Sequence, residues 1–419
     1  MADDKPSGYE PETAAILAGR DEGETSLAPV LFPTSVFEFS SIAEGRGLAT
    51  AVGAERFYSR YGNPTINAFE AAIAELEGAE AARAFASGMG AISAVVLGLC
   101  SSGDHIVAQR QIYAGTQLFL QSACPRFGID VTFVDGTEPG AFEAAIRPGK
   151  TMLVCAETPA NPKLDLVDLD EVGAITGATT VVDSTFATPL GQNPLAHGVD
   201  LVLHSATKGI AGHNDATIGV VAGSQDLMSW LWGFAVLHGA NASPYDAFNA
   251  HRGLRTLGVR LAHQAATAQR LAEYLDGHDG VELVRYPGLD SHPQRELAVR
   301  QMRTSGGLLA FDLRGDIDTG CRFTEAVRLA RQAPSLGGPE PLLSHPASTT
   351  HVGLTPEEMD STGIGPGTMR ASCGLEHPDD VIADIEQALA AASACVIGTR
   401  RFRLASIGGR GNRGGACGQ

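Results

Sequence analysis

Between residues 105 and 222 the chain alternates short apolar runs with segments of helical spacing. The runs His105–Ala108, Val131–Val134, Met152–Ala156, Thr180–Val182, Leu201–Leu203 and Ile218–Ala222 predict strands. Gln117–Cys124, Ala141–Ile146 and Leu169–Thr176 between them predict helices. Such alternation predicts an α/β fold with a mainly parallel sheet, and nearly continuous apolar strands predict a sheet covered on both faces. Upstream, Asn67–Glu77 is a helical pattern stopped by Gly78, and Ala91–Cys100 is a uniformly apolar helix. That helix lies in a charge-free stretch, Ala84–Gly103, whose apolar part is too short to span a bilayer and predicts a buried helix.

The texture divides the chain into four parts. Residues 1–60 are broken by Pro29, Pro33 and a Gly45-Arg46-Gly47 loop, and predict an arm outside the core. Residues 61–257 form the large domain. From Gly258 a long helical pattern through Leu261, Ala268 and Leu275 opens a smaller α+β domain over 258–392. Its strands are expected at Glu282–Tyr286 and Leu308–Leu313, its helices at Thr324–Ala330 and Val381–Ala391. Residues 393–419 are rich in Arg and Gly without an acid, which predicts a flexible basic tail.

Composition narrows the partners. Of 419 residues 44% are hydrophobic and 19% charged, an ordinary soluble composition. With Lys+Arg 30 against Asp+Glu 48, a net charge of −18 argues against nucleic acid and anionic membranes as partners. Met1–Gly23 is acidic and lacks the apolar segment of a signal peptide. Seven cysteines without a C-x-x-C pair suit free thiols, and the two observations together predict a cytoplasmic location.

In open α/β sheets ligands bind beyond the carboxyl ends of the strands. Three predicted strands exit into Glu157-Thr158-Pro159-Ala160-Asn161-Pro162, Asp183-Ser184-Thr185 and His204-Ser205-Ala206-Thr207-Lys208. A lysine among hydroxyls after a buried strand can lose its proton and form a Schiff base with an aldehyde. Ser87-Gly88-Met89-Gly90, just before the apolar helix, suits one phosphate; it lacks the Lys of a P-loop and the spacing of a dinucleotide motif. A zinc site on His197, His204 and His213 is disfavoured because no helix carries ligands at i, i+4. No metal is expected. Lysine, carboxylate and phosphate cradle are together what pyridoxal phosphate needs.

Tyr58-Ser59-Arg60-Tyr61-Gly62-Asn63-Pro64-Thr65, Ser87-Gly88-Met89, Asp183-Ser184-Thr185 and Ser205-Ala206-Thr207-Lys208 resemble the Cys/Met-metabolism family of pyridoxal-phosphate enzymes. So do Ser335-Leu336-Gly337-Gly338, His345-Pro346-Ala347 through Thr350-His351, and Arg370 with Gly374-Leu375-Glu376. The resemblance runs in order from about Leu27 to Ala391 and implies a fold type I pyridoxal-phosphate enzyme. It implies that Lys208 carries the cofactor and shuttles protons, that Asp183 pairs with the pyridine nitrogen, and that Tyr113 stacks on the ring. Ser87, Gly88, Met89, Ser205 and Thr207 would hold the phosphate, and Tyr58 and Arg60 would reach the phosphate of a neighbouring copy. That last role implies a homodimer with shared active sites, two of which form a tetramer. Arg370, helped by Asn161 and Ser335, would clamp the carboxylate of a small amino-acid substrate.

Members of this family that handle cystathionine carry charged groups for its far end. The corresponding positions here are Phe57, Leu118 and Pro334, all apolar, which predicts a small thioether substrate. Phe57-Tyr58-Ser59-Arg60 and Tyr286-Pro287-Gly288-Leu289 look most like the methionine γ-lyase group. Gly115, where that group usually carries Cys, also occurs in sulfhydrylases. The expectation is γ-elimination giving 2-oxobutyrate, ammonia and a thiol; the alternative is γ-replacement by an O-acetylhomoserine sulfhydrylase or cystathionine γ-synthase.

Overall fold

The computed structural model describes residues 8–20, 25–349 and 363–402. Seven strands form the large sheet: β1 (Ala81–Phe85), β2 (His105–Gln109), β3 (Asp130–Val134), β4 (Thr151–Glu157), β5 (Thr179–Asp183), β6 (Leu201–His204) and β7 (Gly219–Gly223). Their order is β1-β7-β6-β5-β4-β2-β3. β3, β2, β4, β5 and β6 run parallel, while β7 is antiparallel to both β6 and β1. Every residue of β2, β6 and β7 is buried, as their apolar runs require.

Helices cover both faces. On one, Phe69 and Ile73 of Pro64–Glu77 and Ala250 and Leu254 of Pro244–Leu254 pack on Val202, Val220 and Ala222. On the other, Ala91, Val95 and Val96 of Gly88–Leu99 and Leu231 of Gln225–His238 pack on Ile106, Leu153, Val181 and Leu203. The charge-free stretch thus supplies a buried helix, and no helix among the described residues is long and apolar enough to cross a membrane. Helix Pro64–Glu77 ends where expected, with Gly78 in the left-handed conformation (φ 67°).

The smaller sheet has β8 (Val281–Arg285), β9 (Leu308–Leu313), β10 (Arg331–Gln332), β11 (Leu342–Ser344) and β12 (Thr368–Ser372), in the order β10-β11-β12-β9-β8. Helix Leu257–Asp276 packs on it through Ala268, Leu271 and Leu275.

Four expectations need correction. Gly45-Arg46-Gly47 lies inside helix Ile42–Thr50, not in a loop. Ser41 caps that helix by accepting from Glu44 N (3.2 Å), and the Glu44 carboxylate accepts from Ser40 N (2.6 Å), a capping box that outweighs the glycines. Residues 1–60 are not wholly outside the core: Ala14, Ala15 and Ala18 are buried with Phe69 and Leu257. The helix expected at Thr324–Ala330 is Ile317–Ala326, capped by Asp316, which accepts from Thr319 N (3.0 Å). It stops there because the Asp384 carboxylate accepts from three successive main-chain N–H groups, Arg328, Leu329 and Ala330 (2.8–3.0 Å). Finally, the last helix runs Pro378–Phe402, across the position where the tail was expected to begin. Thr350-His351 and residues 403–419 lie outside the described residues.

Candidate active site

Because β4, β5 and β6 are parallel and in register, their carboxyl ends deliver side chains to one edge of the sheet. Glu157 ends β4, Asp183 ends β5 directly beside it, and Ser205–Lys208 follow β6. Helix Gly88–Leu99 brings its N-terminus to the same edge, where Ser87 accepts from Gly90 N (3.0 Å). Gly88 has to be glycine: a Cβ there would stand 2.8 Å from the Ser205 Cβ. The smaller domain closes the opening with Pro334, Ser335, Leu336 and Arg370 of β12. The result is a cavity of about 290 Å³.

Lys208 is mostly buried. Its ammonium donates to Ser335 Oγ (2.7 Å), and loss of solvent together with the Arg370 charge brings its pKa down to about 8. The Lys208 loop is fixed from behind by Arg260, whose buried guanidinium donates to Gly209 O (2.8 Å), Ile210 O (3.2 Å) and Gly253 O (2.8 Å). Asp183 is pushed up by burial, against the Thr185 hydroxyl (2.5 Å) and Thr185 N (2.9 Å), both of which donate to it. Arg370 donates from Nη1 to Asn161 Oδ1 (2.8 Å) and from Nη2 to Ser335 O (2.8 Å), while burial lowers its pKa to about 10. Its Nε is buried without a partner among the described residues. Ser335, gripped by both cations, sits at φ 95°, a conformation that costs a non-glycine residue about 1 kcal/mol or more.

The cavity gathers Ser87, Gly88, Met89, Tyr113, Asn161, Asp183, Ser205, Thr207, Lys208, Ser335 and Arg370, residues spread over nearly three hundred positions. The Thr207 hydroxyl is already engaged, donating to Ile218 O (3.1 Å) and accepting from Ile218 N (2.9 Å). Tyr58 and Arg60 do not line the cavity. The Arg60 guanidinium donates to Val236 O (2.5 Å), at the carboxyl end of helix Gln225–His238, and lies over the Tyr58 and Tyr61 rings. Of the three positions expected to set substrate choice, Pro334 lines the cavity. Phe57 instead packs on Tyr61 and Phe39, and Leu118 is exposed. The three histidines weighed for zinc engage separate partners: His197 meets Asp170, His204 meets Glu77, and His213 meets Ala211 O.

Thr185 and Glu157 are among the lining residues given no role from sequence. The Glu157 carboxyl accepts from Tyr113 N (2.7 Å) and Asn161 N (2.7 Å), and burial, then Asp183, pushes its pKa well up. A pair of carboxyls at adjacent strand ends is the signal that could have marked it.

The donor set fits pyridoxal phosphate. An amine of lowered pKa, a half-buried carboxyl, an aromatic ring and the amides of a twelve-residue helix's N-terminus face one cavity, and the Arg370 Nε, without a partner among the described residues, is suited to a ligand carboxylate.

Comparison with known proteins agrees. The Cys/Met metabolism PLP-dependent enzyme family matches residues 12–390. L-methionine gamma-lyase of Pseudomonas putida is 44% identical over 91% of this chain and 97% of its own length. O-succinylhomoserine sulfhydrylase of Pseudomonas aeruginosa is 42% identical, over 91% and 95%. A cystathionine gamma synthase structure from Xanthomonas oryzae pv. oryzae superposes with TM-score 0.86 at 37% identity, covering 92% of this chain and 99% of that one. The chain belongs to the Cys/Met metabolism family of pyridoxal-phosphate-dependent enzymes.

Proposed function

We propose that this enzyme eliminates the γ-thiol of a small sulfur amino acid, methionine foremost, so that substrate and water give 2-oxobutyrate, ammonia and a thiol. One observation carries the choice of substrate. Among the described residues no charged group lining the cavity is left over for a substrate's far end: Glu157 holds two main-chain N–H groups, Asp183 is bonded by Thr185, and Arg370 and Lys208 lie at the Ser335–Asn161 end. Met89, Ile92, Phe186, Pro334 and Leu336 make up much of the remaining wall. A methylthio group suits that wall, whereas the charged far end of cystathionine would lack a partner among these residues. The methionine gamma-lyases among the relatives support the same reading.

Pyridoxal phosphate, when bound, supplies an electron sink that acidifies the Cα–H and Cβ–H bonds of the amino acid. Asp183 faces the pyridine nitrogen in this reading, Tyr113 covers the ring, and Ser87, Gly88, Met89, Ser205 and Thr207 surround the phosphate. Arg370 binds the substrate carboxylate through its fork, with Asn161 and Ser335 fixing its plane. Lys208 Nζ, neutral in a useful fraction near pH 8, takes the Cα proton, removes a Cβ proton so that the Cγ–S bond breaks and the thiolate leaves, and returns protons at Cγ and then Cβ. Ser335 Oγ aims that amine before reaction.

The enzyme acts as a homodimer, and as a tetramer of two such dimers, in this proposal. Tyr58 and Arg60 stand outside the cavity of their own chain, with Tyr58 39% exposed, and Trp230 and Leu237 are exposed on the neighbouring helix. Five described cysteines are free, which supports a reducing compartment such as the cytoplasm.

The test is product analysis with methionine, cystathionine, and O-acetylhomoserine with and without sulfide. Methionine is expected to give 2-oxobutyrate with kcat/KM about 10²-fold above cystathionine. Gly115, and the sulfhydrylase among the relatives, favour γ-replacement as the second reading. Homocysteine from O-acetylhomoserine and sulfide, with methionine inert, would replace the first reading by the second.

A further inference from the structure

Glu157 is 4% exposed, carries an ionisable group beside a second carboxyl, and has no part in the chemistry described above. Such a position is expensive for a fold and is offset only by what the carboxyl holds. Its own placement is firm: Glu157 N donates to Gln109 Oε1 (2.8 Å) on the adjacent strand, and the next amide, Thr158 N, donates to Asp183 O (3.1 Å). From there the side chain reaches two separate pieces of backbone. Oε2 accepts from Tyr113 N, immediately before helix Ala114–Ser122, whose first residues have no side-chain cap of their own. Oε1 accepts from Asn161 N, and the Asn161 side chain accepts from Arg370 across 209 positions of sequence.

We propose that Glu157 is a positioning residue of the active site, whose carboxyl fastens the backbone of Tyr113 and of Asn161 and so sets both the ring that covers the cofactor and the plane of the Arg370 clamp. The proposal rests on the roles given to Tyr113, Asn161 and Arg370 under the proposed function. The residue type follows from the geometry. Two acceptor oxygens splayed on one carbon serve two N–H groups at equal 2.7 Å distances. Glutamine keeps one acceptor and turns an NH₂ group toward the other N–H. Aspartate is a methylene too short to reach both. The neighbouring Asp183 is held by Thr185 instead, so the two carboxyls divide the work: one faces the cavity, the other the backbone around it.

The test uses full-length holoenzyme and Glu157→Gln, with Asn161→Ala as an independent second variant. Amide hydrogen exchange is the first measurement. Tyr113 or Asn161 N–H should exchange about 10-fold faster in Glu157→Gln, while the amides of β5 keep their wild-type protection. The second is kinetic: KM for methionine or the Kd for pyridoxal phosphate should rise about 10-fold, with kcat within about 3-fold of wild type. Asn161→Ala should reproduce the KM increase with Tyr113 exchange unchanged. Wild-type exchange at both amides with KM and Kd unmoved, or an Asn161→Ala enzyme with an unchanged KM, would overturn the proposal. If methionine is not a substrate of the wild type, the functional reading fails, and amide exchange with cofactor titration still decides the role of Glu157.

Discussion

The cavity around Lys208 and the ledge that carries Tyr58 and Arg60 are built on different physical principles. The cavity is assembled by strand ends. Parallel register places Glu157 beside Asp183, the loop after β6 delivers Lys208, and Arg370 arrives from β12 of the smaller sheet. Lys208, Arg370 and Glu157 are each tied by short hydrogen bonds to another part of the same cavity. The ledge is held by its own neighbours instead. Asn63 donates to Phe32 O (3.1 Å) and Ser59 Oγ (3.0 Å), Trp232 donates to Tyr61 O (2.6 Å), and Arg60 rests on Val236 O. An arginine-tipped surface outside the cavity of its own chain is what the proposed sharing of active sites between copies requires. In the proposed dimer the contrast has a reason: one chain completes the reacting centre and leaves part of the phosphate site to its partner.

Four outcomes would sharpen or break that contrast. The largest concerns the cavity: Lys208→Ala should lower turnover of methionine by about 10³-fold or more, because the proton shuttle and the cofactor amine are lost together. Arg370→Lys should cost about 10²-fold in kcat/KM, chiefly in KM, since a point charge cannot replace a planar fork held by Asn161 and Ser335. For the ledge, Arg60→Ala and Lys208→Ala should each be poorly active alone. Mixed and refolded together at equal amounts, they should recover about a quarter of wild-type sites, one per hybrid dimer. No recovery from proven hybrids would place Arg60 in the site of its own chain. The smallest effect is on cofactor-free stability. Burial lowers the Lys208 pKa from 10.5 to about 8, so its charged form opposes folding below pH 8 and that cost fades as pH rises toward 10.5. Lys208→Met should therefore unfold at higher denaturant than wild type at pH 7, by about 1 kcal/mol after loss of the Ser335 bond, and the gap should close by pH 10.

How much of this was legible in the sequence depended on range. Six strands of the large sheet were read to within one or two residues, because apolar runs report burial directly. Lys208, Asp183 and Asn161 stood out because strand exits of a parallel sheet are where ligands bind. The misses were of two kinds. Some were local signals that oppose one another: two glycines favour a loop, but Ser41 with Glu44 is a capping box, and it makes a helix of Gly45-Arg46-Gly47. Others were contacts no local pattern encodes. Asp384 ends a helix more than fifty positions upstream, Arg260 fixes the Lys208 loop from a distant helix, and Asn161 meets Arg370. Glu157 is of the second kind: its strand exit is legible, but its bond to Tyr113 is not.

Borohydride reduction of the pyridoxal-phosphate-loaded enzyme, followed by peptide mapping, tests the central claim most directly. Lys208 is the amine that burial and Arg370 have prepared inside the cavity, with Ser335 holding it. A phosphopyridoxyl group fixed on Lys208, in one equivalent per chain, is the predicted result. Modification of another lysine, or none in a protein saturated with cofactor, would contradict the account.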